Sequence, residues 1–234
     1  MMNGKMAGDH QRQKMIKICN IFFIFFGLAC CLFACAPSAP LDDYSHYLRN
    51  KNIAKPHLKR LPHCYHYGCA SITTASISEQ EWQKIVQLFK PASITAEEER
   101  KKIALTIQKF EHFIGAATGT KEDKKGTFKH FLDTQTDPLK YQQDCIDEST
   151  NTTLYMALLQ NHGLLRFHRV TQPQSRQPLI SGRGWWHQTA TIQEIDSKKR
   201  YAVDSWFEDN GHPAHIIPLD LWKKGWEPKT PSPP

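Results

Sequence analysis

The chain has 234 residues and a formal charge of +7 at pH 7, from 30 Lys and Arg against 23 Asp and Glu. With a basic leader set aside, 26 basic and 22 acidic residues remain; that mild balance, with no RNA- or DNA-binding motif and no strongly basic stripe, argues against a nucleic-acid partner. About 170 residues beyond leader and tether suffice for one domain with its own core.

Lys5, Arg12, Lys14 and Lys17 precede an uncharged run over residues 18–33, rich in Phe, Ile and Leu, and the small residues Ala34, Cys35 and Ala36 follow. A basic start, a short apolar core and a small-residue exit are the parts of an export signal. At 16 residues the run is shorter than the roughly 20 that span a bilayer as an ordinary helix. Leu32-Phe33-Ala34-Cys35 resembles the bacterial lipoprotein processing site. That resemblance implies a lipid on Cys35 and a protein anchored in the bacterial cell envelope, facing the periplasm or the exterior. The rival reading is plain secretory cleavage after Ala34-x-Ala36, but Pro37 would then stand just past the cut. The expected layout is a signal peptide over residues 1–35, a tether over 36–62, a single domain over 63–226 and a frayed tail over 227–234.

Of seven cysteines, four lie in the signal, leaving Cys64, Cys69 and Cys145. In an oxidising compartment two of the three are expected to pair, and Cys64 and Cys69 are close enough to close a small loop. Cys145 would then be free, which suits either a catalytic thiol or a buried inert one. His63, Cys64, His66 and Cys69 match no standard zinc spacing. Neither a metal nor another cofactor is expected.

Ser78 and Glu81 form a capping box ahead of Trp82, Ile85, Val86 and Phe89 at helical spacing, and Pro91 ends that helix. Thr95 and Glu98 open a longer helix with Ile103, Ile107, Phe110 and Ile114 on one side, closed by Gly115 and Gly119. Residues 119–143 are polar and read as a solvated loop. A third helix spans residues 145–161, with Leu154, Leu158 and Leu159 inward. Residues 164–170, 187–195, 201–206 and 215–217 have the β-branched and aromatic character of strands, with a hairpin turn at 197–199. Residues 218–226 add a short helix. Helices followed by strands predict an α+β domain with an antiparallel sheet.

Cys145, His187 and Asp204 are the candidate catalytic residues. A cysteine opening a helix gains from the partial positive charge and free N–H groups there, which favour a thiolate and can hold an oxyanion. Asp144, Asp147 and Glu148 work against the thiolate, so an ion pair with a histidine has to outweigh them. His187 begins one strand, and Asp204 sits in an otherwise apolar one, where an unpartnered carboxylate is expensive to bury. A short turn between the two strands would set Asp204 beside His187 as the group that orients the base.

Asp144-Cys145-Ile146-Asp147, His187 before an alternating strand, and Tyr201-Ala202-Val203-Asp204 resemble the transglutaminase-like superfamily, especially its bacterial cysteine proteinases. The similarity covers residues 143–207. It implies a papain- or transglutaminase-like core with Cys145 as nucleophile, His187 as base and Asp204 as orienter. Gln143 replaces the usual glycine before the Asp-Cys pair, and Ser149 stands where alanine is common.

The expected function is an exported, lipid-anchored cysteine hydrolase acting on amide bonds of a protein or peptide. Water resolving the thioester makes it a protease or amidase, and an amine makes it a transglutaminase. Gln143 is a candidate oxyanion contact and Trp186, with Trp185 and Trp206, a candidate substrate contact; residues 172–184, with Arg176 and Arg183, form a candidate flap. The alternatives are a catalytically inactive envelope lipoprotein that serves as a binding or structural module, and a cell-wall peptidase.

Overall fold

The structure, a computed structural model, describes residues 43–128, 141–177 and 186–229. The expected signal with Cys35, the flap residues from 178 to 184 with Arg183, and Trp185 lie outside the described residues. Among the described residues no helix is long and apolar enough to cross a membrane.

Helix α1 (Tyr44–Asn50) is capped by Asp43, whose carboxylate accepts from the Ser45 N–H at 3.1 Å. Tyr44 and Leu48 fall four apart on one face and are buried with Ile53. The helix packs on strand β3, where Asp43 also bridges to Thr171. Residues expected as tether are therefore folded onto the domain from Asp43 onward.

Strands β1 (Leu61–Tyr65) and β2 (Ser71–Ala75) form an antiparallel hairpin whose loop is closed by a Cys64–Cys69 disulfide. The hairpin precedes the main helices, so the order is not simply helices followed by strands. His66, Tyr67, Gly68 and Cys69 all have positive φ. Two N–H groups of this left-handed run, those of Tyr67 and Cys69, donate to Asp147.

Ser78 and Glu81 cap helix α2 (Glu79–Leu88) reciprocally, as their spacing predicts. Helix α3 (Ala96–Thr118) uses half of its box: Thr95 accepts from the Glu98 N–H at 3.1 Å, while the Glu98 carboxylate accepts from Ile94 at 3.0 Å. Gly119, at φ 88°, ends it in the left-handed conformation. A 3-10 turn (Thr120–Glu122) follows. Thr120 and Asp123 are buried, so the polar segment is not solvated throughout.

Helix α4 (Cys145–Asn161) packs against α3, β1, β3, β4 and β5. Its second half is apolar, but Asp147 through Thr153 are also buried. A polar half-helix in that position stands only if its groups are hydrogen-bonded. Tyr47 Oη meets Thr150 Oγ1 at 2.8 Å, Asn151 bonds both backbone groups of Cys64 at 2.8 Å, and Thr152 Oγ1 meets Ser205 Oγ at 3.1 Å.

The main sheet runs β3 (His168–Arg176), β4 (His187–Glu194), β5 (Arg200–Asp204) and β6 (His215–Pro218), antiparallel throughout. Edge strand β3 starts later and runs further than expected, and its register shifts between Thr171 and Gln174, around Pro173, which cannot donate to a ladder. Helix α5 (Leu219–Lys223) follows β6 at once. The fold is thus α+β, with a buried helix against an antiparallel sheet.

Candidate active site

Cys145 is the first residue of α4. Asp144 caps it, accepting from the N–H groups of Ile146 and Asp147 at 3.0 Å, and Asp147 reaches back to the Asp144 N–H at 3.1 Å. Asp147 also accepts from Tyr67 at 2.7 Å and Cys69 at 2.6 Å. The disulfide loop thereby grips the first turn of the cysteine's helix.

The free Cys145 is buried, and the backbone N–H of Gln188 donates to its sulfur. Burial pushes the thiol up to about 12; the Gln188 N–H pulls it down, while the carboxylates of Asp144, Asp204 and Asp147 push it up further. A bare thiol in this position is a poor nucleophile, and a thiolate here requires a cationic partner.

His187, adjacent to Gln188 at the start of β4, is buried. The β4–β5 register runs from Gln193↔Arg200 to Ala190↔Val203 and so carries the end of β5 toward the start of β4. His187 Nε2 lies 2.8 Å from Asp204 Oδ2. Its Nδ1 is buried and has no hydrogen-bond partner among the described residues. With the carboxylate as acceptor, the bond makes Nε2 the donor. Trp206, Phe207 and Trp222 surround the imidazole, with ring centroids 4.6, 5.2 and 5.4 Å away.

Gln143 does not serve as expected. Its amide Nε2 donates to Asp123 and Glu148, its Oε1 accepts from Asn151 at 2.7 Å and its backbone N–H donates to Asp123 at 2.8 Å. Every polar group of its side chain is committed inward, so none is left for an oxyanion. Trp186 is 44% exposed just before His187, compatible with a substrate contact. Arg176 is no flap residue: it ends β3, buried, with Nη1 donating to the carbonyls of Trp222 at 2.9 Å and Trp226 at 2.7 Å.

Two sets of neighbours lacked a sequence signal. Trp222 Nε1 donates to Asp204 Oδ2 at 2.7 Å from a helix 18 residues away. Glu111, Asp123 and Glu148 converge beside the first turn of α4 from three separate segments. Glu148 accepts from Gln143 at 3.1 Å and from the Ser205 hydroxyl at 2.5 Å, and Glu111 accepts from Gly211 at 2.9 Å. Burial first, then mutual repulsion, raises Glu111, and Asp123 rises to about 9 for the same reasons.

Set against known proteins, the chain matches no family model, no curated protein and no solved structure.

Proposed function

We propose that the protein is a cysteine hydrolase or acyltransferase acting on amide bonds in proteins or peptides, exported and held at the bacterial envelope by a lipid on Cys35. In this reading Cys145 is the nucleophile, His187 the base and Asp204 its orienter, on a papain- or transglutaminase-like core. The observation that carries it is the imidazole of His187: one nitrogen is bound to Asp204 at 2.8 Å, and the other is buried and bare beside the strand residue whose N–H meets the Cys145 sulfur. Nδ1 takes the thiol proton, and the imidazolium supplies the cation that the buried thiolate needs. The sulfur attacks the amide carbonyl, the imidazolium protonates the departing amine, and water or another amine resolves the thioester. Because the Asp144 cap uses the N–H groups of Ile146 and Asp147, the Cys145 N–H is the first-turn donor assigned to the oxyanion.

The competing reading, a binding or structural module without catalysis, draws on the thiol pushed up to about 12. One experiment separates the two. A cysteine-directed probe and peptide or glutamine-containing substrates, with and without an amine acceptor, are applied to wild type and Cys145→Ala. Labelling and turnover lost in a folded Cys145→Ala variant are the expected result. A wild type that neither labels nor turns over supports the module instead.

A further inference from the structure

We infer that Trp222 is a positioning residue for the catalytic pair, fixing the Asp204 carboxylate so that it holds the His187 imidazole through Nε2. The inference rests on the proposed role of Cys145, His187 and Asp204. Asp204 Oδ2 receives two donors, His187 Nε2 at 2.8 Å and Trp222 Nε1 at 2.7 Å. Two short bonds from different directions leave that carboxylate little freedom to rotate, and an oxygen with two N–H donors is held as an acceptor. Trp222 is itself fully buried and fixed from behind. The Arg176 guanidinium lies 4.8 Å from its ring centroid and bonds the Trp222 carbonyl at 2.9 Å, joining the end of β3 to α5. The indole is therefore held on the side away from the carboxylate as well. A buried indole N–H needs an acceptor, and here that acceptor is the oxygen that also holds the imidazole.

The test uses the full chain with Trp222→Phe, and a second form with benzothienylalanine at position 222, whose ring keeps the indole shape and has sulfur in place of the N–H. Two quantities are read: the His187–Asp204 bond, from the imidazole 15N shifts and the Nε2–H proton resonance, and the Cys145 alkylation rate by iodoacetamide between pH 5 and 9, with Cys145→Ala as the blank. Wild type is expected to show a single sharp, downfield Nε2–H resonance. Both replacements are expected to shift and broaden that resonance as the carboxylate gains freedom, and to slow alkylation below pH 7 about tenfold, the scale of one hydrogen bond to a charged group. An unchanged Nε2–H resonance in the folded isostere overturns the inference, whatever happens to the melting temperature. A resonance that shifts while wild-type Cys145 alkylates like an ordinary thiol leaves the positioning role standing and removes the hydrolase reading.

Discussion

Glu111, Asp123 and Glu148 put three carboxyl groups into the interior beside α4, and the buried histidine nearby offers no counter-charge. His63 bonds Tyr155 Oη at 3.2 Å and Thr120 Oγ1 at 3.1 Å, and burial lowers it to about 3. Burial and repulsion from neighbouring carboxylates therefore raise the carboxyls of the cluster. A carboxyl raised on folding binds its proton more tightly in the folded chain; the stability it lends is full below the unfolded value and drains away as pH rises toward the folded one. For Asp123 that window runs from 3.8 to about 9. Glu111→Gln keeps an acceptor for Gly211 and removes a group that burial holds well above 4.5. It is expected to raise the melting temperature at pH 8, by about 2–4 °C per kcal/mol gained in a domain of this size, and to leave pH 4 unchanged. Melts over that range check it, and equal shifts at both ends count against a titrating cluster. None of this is legible locally, because Glu111 looks like any helix-face acid until Glu148 is brought beside it.

Among the elements, α4 and the β4–β5 hairpin were legible because their signals are short-range. Asp144 and Asp147 announce a capped helix start, and residues 197–199 supply a turn that sets Asp204 near His187. The β1–β2 hairpin and α1 were missed, since their alternation is weak and their burial depends on distant partners such as Thr171 and Asn151. Helix α5 was expected, but its Trp222 bond to Asp204 was not, because nothing in its own segment marks a donor. Asp147 shows what a single side chain does for such elements: it accepts three backbone N–H groups from two segments. Asp147→Asn offers only one acceptor oxygen, so part of that set is orphaned. A loss of about 1–3 kcal/mol is expected, read from the urea midpoint, together with faster hydrogen exchange at the Tyr67 and Cys69 amides. Unchanged exchange there would show that the loop holds itself.

At the largest scale, across the described residues from 43 to 229, a buried helix whose first half is polar is clasped between a small hairpin and a four-stranded sheet. At the first turn, the hairpin reaches the helix through the Cys64–Cys69 loop and Asp147. Replacing both cysteines by serine, Cys64→Ser with Cys69→Ser, is expected to cost about 2 kcal/mol by the loop-entropy scale for so short a loop. It should also slow probe labelling of Cys145, whereas labelling at the wild-type rate would uncouple loop from site. Without the bridge, the loop that presents two N–H groups to Asp147 loses its covalent closure, so the proposed activity is expected to follow the redox state of two cysteines that never touch the substrate.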